Sequence, residues 1–547
     1  MSLDFKHARL PPFRHQEEDT EILVNSPYLF ITSEMRTGKT KIVIDAAQFL
    51  YLQGSTDTVI TVAPSPVRDV WYDSDIGELK KHLWLNIPAT IIEFHQKIRS
   101  WTHGPKDTDR LRWIVTNFEY LRSDKHLAEL FPYCSQSTLL VIDESSFVKN
   151  YKAKQTQACF TLRERCGRIV ELNGTPISHS PEDLFSQGNL LHPSILDCRY
   201  ITHYRAQYAV MSPVRGPGGK ALKDKWGNVI STATGWKNLE EIQKRFAPYV
   251  IRRLQKDCLD LPPKLDPVTL TATLTPETWR HYREMRDECI VEFQQSKTIS
   301  IASQAVVKAM RLAQITSGFI GGIQDALQDP EETLLEWDVE KEDWLPRKCS
   351  EGSGESLPII ATPSSTFKEV GREKLDVVLW FLEQRLEQDE ISPHVLVWCR
   401  FRPELFRLLQ NVETKFPEFV VGAICGGQKK EERKRTMELL HPSSTPRKKP
   451  VLVGGTFGTG SFGLNFTGAQ YSVNCSFDYS LGKFLQAGDR VYGPGMIGPA
   501  AYFDVIAKGP QGQKTIDHVI VKARREREDI ANWVSADWVR ALSDGEG

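Results

Sequence analysis

From Tyr28 to about residue 190 the chain alternates short apolar runs with stretches of helical periodicity. The runs are Leu29–Thr32, Val59–Ala63, Trp113–Thr116, Leu139–Ile142 and Ile169–Leu172, and each ends in polar or small residues. Such runs, separated by amphipathic stretches, predict a parallel sheet with helices on both faces and ligand sites at the strand tips. The rhythm resumes near residue 374, with Val395–Cys399, Phe419–Ile424, Val451–Val453, Tyr471–Asn474 and Tyr502–Ile506 as strands. Two α/β lobes are therefore expected.

Between the lobes, Thr278–Phe319 is rich in helix formers, and residues 212–235 read as an exposed loop or small insertion. From Asp325 to Asp343 there are nine acidic residues and one lysine. Residues 320–372 are accordingly expected to be a flexible acidic insertion. The predicted layout is lobe 1 over 1–200, a helical insertion over 201–319, the acidic insertion over 320–372, lobe 2 over 373–512 and a C-terminal helix over 513–547.

Composition narrows the class. A chain of 547 residues, 40% hydrophobic and 25% charged, supports more than one globular core. It has no apolar run long enough for a membrane helix, and its first residues lack the apolar core of a signal peptide. A cytoplasmic protein with no membrane partner is expected (host cytoplasm if viral). The ten cysteines are scattered without a CxxC pair, which argues against a zinc ribbon. A formal charge of −1 means that any nucleic-acid partner needs a local basic groove. Candidates are Arg252-Arg253, Arg433-Lys434-Arg435 and Arg447-Lys448-Lys449, though each reads more simply as a solvated face.

Residues 34–40, EMRTGKT, follow the first strand and open an amphipathic helix. Strand, Gly-Lys-Thr turn and helix are the context a phosphate-binding loop requires; the heptad alone also reads as a chance Gly-Lys-Thr turn. Backbone N–H groups cradle phosphate, Lys39 supplies a point charge, and the Thr40 hydroxyl is placed to ligate Mg²⁺. Downstream, TLLVIDE (138–144) delivers Asp143 and Glu144 to a strand tip. That is where such sites place an acid for Mg²⁺ and an acid that orients and deprotonates water.

In order, these segments resemble the superfamily 2 helicases, and among them the Swi/Snf-like translocases. Gln16 in LPPFRHQ matches the glutamine that reads adenine, and EMRTGKT matches motif I. VAPSPVRDVW (62–71), TNFEYL (116–121), DESSFVKN (143–150) and LNGTP (172–176) resemble motifs Ia, Ib, II and III. FAPYVIRRLQKDCLDLPPK (246–264) resembles the segment that separates this branch from its cousins. HVLVWCRF (394–401), GTGSFGLNFTGA (458–469) and FLQAGDRVYG (484–493) resemble motifs IV, V and VI.

The resemblance implies two tandem RecA-like lobes facing each other across a cleft, with ATP and Mg²⁺ as cofactors. It implies nucleotide contacts from Gln16, Glu34, Met35, Arg36, Thr37, Gly38, Lys39, Thr40 and Gly463. Catalysis would fall to Lys39, Asp143, Glu144, Gln486 and Arg490, with Thr40 and Asp143 on the metal. Pro64, Asn117, Thr175 and Asn465 would face nucleic acid, and Thr175 would link that grip to ATP. The implied partner is duplex or branched DNA bound without sequence preference, by a monomer acting with replication or recombination proteins. The compact size resembles bacterial or bacteriophage members.

The chain departs from the pattern at two places. Ser33 stands where the usual loop has a first glycine. Gly493 stands where motif VI normally has its second arginine. Arg490 alone, or Arg400 or Arg402, would then carry the arginine role. An ATP-gated nucleic-acid binding or annealing protein with weak turnover, and an RNA helicase, are the alternatives.

Overall fold

The computed structural model describes residues 3–522 and 524, apart from 74–76, 96–97, 100–109, 175, 178–179, 215–220, 224–226, 296–300, 322–334, 339–342, 347–366, 389–391, 429, 445–448, 461–463, 479–480 and 497. The chain divides into two compact units, the first ending at Leu261 and the second beginning at Pro262.

The first unit holds strands β1 (Tyr28–Ile31), β2 (Thr58–Ala63), β3 (Ala89–His95), β4 (Ile98–Arg99), β5 (Leu111–Asn117), β6 (Thr138–Asp143), β7 (Arg168–Leu172), β8 (Ala209–Pro213), β9 (Ser231–Trp236) and β10 (Val250–Ile251). Eight of them form one sheet in the order β10-β1-β7-β6-β2-β5-β3-β4, parallel throughout except for β3 with β4. Strands β2, β5 and β6 are buried along their whole lengths. That is why they read as unbroken apolar runs, since helices cover a parallel sheet on both faces. Parallel pairing also brings the tips of β1, β2, β5, β6 and β7 to one edge. Ala63 pairs with Asn117 there, and Asp143 with Leu172.

The second unit holds β11 (Val268–Thr273), β12 (Phe319–Gly321), β13 (Leu335–Asp338), β14 (Asp343–Pro346), β15 (Phe367–Glu369), β16 (His394–Cys399), β17 (Val420–Ile424), β18 (Val451–Thr456), β19 (Tyr471–Asn474) and β20 (Ala501–Lys508). Its six-stranded parallel sheet runs β11-β20-β19-β16-β18-β17. Each unit thus has the parallel-sheet build expected of a RecA-like lobe, and all ten anticipated strands are present.

The division at Leu261 falls inside the stretch anticipated as a helical insertion, 201–319. Val250–Ile251 joins the first sheet, and Val268–Thr273 joins the second. Residues 212–235, anticipated as a loop, begin and end in the antiparallel pair β8–β9. The acidic insertion and the C-terminal helix lie largely outside the described residues; of the latter, 516–522 are helical. No described helix is long and apolar enough to cross a membrane.

Candidate nucleotide site

The helix Lys39–Leu52 starts at Gly38, whose φ of +88° lies in the left-handed region that glycine enters without steric cost. The turn lets the chain double back between β1 and the helix. The first N–H groups of a helix have no partner within it, which makes a helix start a natural place for an anion. Lys39 folds across the loop, and its ammonium donates to the Ser33 and Glu34 carbonyls at 2.8 and 3.0 Å. Thr37 Oγ1 donates to the Glu34 carbonyl at 2.8 Å. The Thr37 carbonyl accepts from His15 Nε2 at 2.8 Å and from Gln16 Nε2 at 3.1 Å. Gln16 is buried against the loop, and a Cβ on Gly38 would run into its amide. Arg36 and Thr40 are half-buried, and Met35 is buried. Arg36 shares the positive backbone angle, at φ +61°.

The loop is braced from the far end of the unit. Past β10 the chain runs beside it. Thr32 N donates to the Ile251 carbonyl at 2.8 Å, and Glu34 N to the Arg253 carbonyl at 2.9 Å. Arg253 N donates to Ser33 Oγ at 3.0 Å. Gln255 holds Glu34 Oε2 through its backbone N–H at 2.7 Å and the Met35 carbonyl through its amide at 2.6 Å. The Arg252 side chain is largely covered and donates to the Thr32 and Gly174 carbonyls. Arg253 grips the buried Asp19 at 2.6 Å and Glu18 at 3.1 Å. This pair is therefore neither a basic groove nor a solvated face; both cations are committed to the loop and to the first helix, Arg14–Asn25. Ser33, which replaces the usual glycine, is buried and accepts one of these bonds.

At the tip of β6, Asp143 is buried and accepts the Trp71 indole N–H at 2.7 Å. Burial raises Asp143 above the usual carboxylate range, while Trp71 and the Lys39 charge pull it down. Glu144 follows with φ +54°, a left-handed conformation that is uncommon for a side-chain-bearing residue. Ser145, next in line, donates to Gln187 Oε1 at 2.7 Å and accepts from Asn173 at 3.4 Å. Gln187 in turn donates to the Pro176 carbonyl at 2.9 Å. The groups present suit ATP with Mg²⁺: an ammonium, N–H groups at a helix start, a hydroxyl at Thr40 and a carboxylate at Asp143, the last two hard oxygens of the kind Mg²⁺ takes.

Of the residues anticipated to face nucleic acid, Pro64 directly follows β2, and Asn117 ends β5, where it pairs with Ala63. Asn117 is buried and donates to Glu119 at 2.8 Å. Asn465, in the second unit, caps Thr467 through its side-chain oxygen. Thr175 and Gly463 lie outside the described residues.

Gln486 is buried in the helix Leu481–Gly488. Arg490 follows that helix and donates to the Leu464 carbonyl at 3.3 Å, while its own carbonyl accepts from Phe466 N at 3.0 Å. Arg400 follows β16; its backbone N–H donates to Ser476 Oγ at 2.7 Å, and its guanidinium reaches toward the Phe477 carbonyl at 3.5 Å. Arg402 begins the helix Arg402–Lys415 and stacks over Phe406. Gly493 has φ +151°, a backbone conformation that favours glycine. The structure thus gathers Gln16, the loop, Asp143 and Glu144 in the first unit, and places Gln486 and Arg490 in the second.

A model of the SNF2-related domain matches residues 25–318. The chain belongs to the SNF2-related family. ATP hydrolysis is the chemistry of that family. The chain is 23% identical over 438 residues to the TATA-binding protein-associated factor mot1 of Schizosaccharomyces pombe, covering 77% of this chain and 21% of that protein. It is 26% identical over 264 residues to the DNA annealing helicase and endonuclease ZRANB3 of Bos taurus, covering 48% of this chain and 22% of that one. The chain spans about a fifth of the length of these curated relatives. A solved Sulfolobus solfataricus SWI2/SNF2 ATPase core in complex with dsDNA aligns over 100% of this chain and 97% of that one, at 19% identity and a TM-score of 0.39.

Proposed function

We propose that this SNF2-related core is an ATP-driven translocase on duplex or branched DNA, working in replication, recombination or repair. The observation that carries the reading is the phosphate loop itself. Lys39, Thr40 and the Asp143–Glu144 tip share the C-terminal edge of one parallel sheet, inside a chain whose family hydrolyses ATP. Lys39 would exchange its two carbonyl partners for the β- and γ-phosphates. Gln16, already against the loop, would read adenine. Glu144 would orient the attacking water and accept its proton, and Asp143, ionised, would hold the metal. Mg²⁺, when bound, neutralises charge on the phosphates. Arg490, with Gln486 and Gly463, is the second unit's proposed contribution to hydrolysis, the arginine countering charge on the transferring phosphoryl group. Pro64, Asn117, Thr175 and Asn465 are the proposed DNA-facing positions. Contacts of that kind grip phosphate without reading sequence.

Displacement of a third strand from duplex DNA tests translocation, and branch migration of a four-way junction tests remodelling. Both are expected with ATP and lost with Lys39→Ala. A wild-type protein that hydrolyses ATP on DNA and moves nothing would contradict the reading.

One observation favours a second reading, an ATP-gated binding or annealing protein with weak turnover. Gly493 stands at the second arginine position in a backbone conformation suited to glycine. The name of the Bos taurus relative, DNA annealing helicase and endonuclease ZRANB3, is compatible with it. Tight ATP-dependent DNA binding without phosphate release would support it.

A further inference from the structure

Glu171 lies immediately before the LNGTP segment, and the hydrolysis set described above makes no use of it. It occupies β7 between Phe30 of β1 and Ile142 of β6, in register with both. Register puts its side chain on the face where Phe30 and Ile142 join an apolar core. The residue is wholly buried, and neither carboxyl oxygen meets a well-aligned hydrogen-bond donor among the described residues. An ionised carboxylate without donors is very costly in such a place. The polar group acting on it is Ser145, whose Oγ accepts from Asn173, two residues further along the chain, at 3.4 Å.

The surrounding bonds decide which way a Glu171–Ser145 contact can run. Gln187 Nε2 is spent on the Asp183 and Pro176 carbonyls at 2.7 and 2.9 Å, which fixes the amide orientation. Gln187 Oε1 must therefore accept, and it takes the Ser145 hydroxyl hydrogen at 2.7 Å. Ser145 has no second hydrogen to give. It can only accept from Glu171, which requires the carboxyl to carry its proton. Burial, acting against the Ser145 contact, pushes Glu171 well above the usual carboxylate range, so the acid form is available. The titratable group facing it from the helix Lys154–Arg163 is the buried thiol of Cys159, itself pushed up by burial.

We propose that Glu171 is a positioning residue of the hydrolysis step: its neutral carboxyl donates to Ser145 Oγ and so holds the Asp143–Glu144 tip in register with Asn173 and Gln187. Ser145 directly follows the left-handed Glu144, so a shift of its hydroxyl moves the water-orienting carboxylate. An apolar side chain of equal volume would pack as well or better here. An acid kept against that preference marks a site where function overrides stability.

The test compares Glu171→Gln and Glu171→Met in the full chain at saturating ATP and with whichever nucleic acid stimulates the wild type. Glutamine keeps a neutral N–H donor and should hydrolyse ATP within about twofold of wild type. Methionine keeps the volume and loses the donor. Its kcat should fall about tenfold with the KM for ATP little changed, because the loss lies in transition-state geometry. Its melting temperature should equal or exceed that of wild type. The wild type should also lose kcat toward alkaline pH as the carboxyl ionises, and Glu171→Gln should not. Wild-type kcat in the methionine variant, equal losses in both variants, or matching alkaline limbs for wild type and Glu171→Gln would overturn the proposal; the last comparison stands even if the methionine variant fails to fold. The inference rests on hydrolysis at this site. A wild type no faster than Lys39→Ala would sink that reading first and separately.

Discussion

Trp71 donates its indole N–H to Asp143 Oδ2 at 2.7 Å, with both side chains buried. The bond favours the charged carboxylate, and burial opposes it. Trp71→Phe removes the donor and leaves burial less opposed, so Asp143 should titrate at a higher pH. A cation-holding carboxylate must be ionised, so protons displace the metal as pH falls through its pKa. The acid limb of ATP hydrolysis is therefore expected to move upward in pH. The Mg²⁺ needed for half-maximal rate should rise about tenfold. Titrations of rate against pH and Mg²⁺ check this, and unchanged limbs would refute it.

Gly38 couples the phosphate loop to Gln16. Alanine there meets two obstacles, a φ of +88° and the Gln16 amide. Gly38→Ala should cost about 1–2 kcal/mol of stability and weaken nucleotide binding. Thermal unfolding and titration with a fluorescent ATP analogue would show both.

Arg253 is predicted to be structural. Asp19 is buried, and burial raises it while Arg253 pulls it down. Arg253→Ala strands that acid and should cost about 2 kcal/mol, allowing for the partial exposure of the arginine. Pairing it with Asp19→Asn should recover part of the loss in a double-mutant cycle. DNA affinity, measured by anisotropy on the folded variants, should not change. A selective loss of DNA binding at unchanged melting temperature would restore the basic-groove reading.

Strand content was legible because the central strands are buried on both faces and so write continuous apolar runs. Val268–Thr273 writes no such run, because VTLTAT lies on the sheet edge and is largely exposed. Val250–Ile251 is only two residues long. The phosphate loop and the strand-tip acids were legible because each motif is local. Their supports were not. Trp71 lies 72 residues from Asp143, and Gln255 lies 221 from Glu34, so only the folded sheet brings them together. The two arginines looked like surface charge because nothing in the sequence says that β10 pairs with β1.

Gly493→Arg would restore the family's second motif VI arginine on a backbone with φ +151°. The strain should lower the melting temperature and leave the DNA-stimulated rate no higher. Arg490→Ala should lose about 10³-fold or more in kcat if Arg490 carries the finger role alone. Steady-state rates for both variants decide whether one arginine suffices. A faster Gly493→Arg protein would show that it does not.

The central claim is that Lys39, Asp143 and Glu144 hydrolyse ATP in response to DNA. Its most direct test is steady-state hydrolysis at fixed low salt with no nucleic acid, single-stranded DNA, duplex DNA, a four-way junction and RNA, with Lys39→Ala as the blank. Strong stimulation by duplex or junction DNA, weakening as salt rises and absent in Lys39→Ala, is the predicted result. A rate that ignores every nucleic acid, or that survives Lys39→Ala, would contradict it.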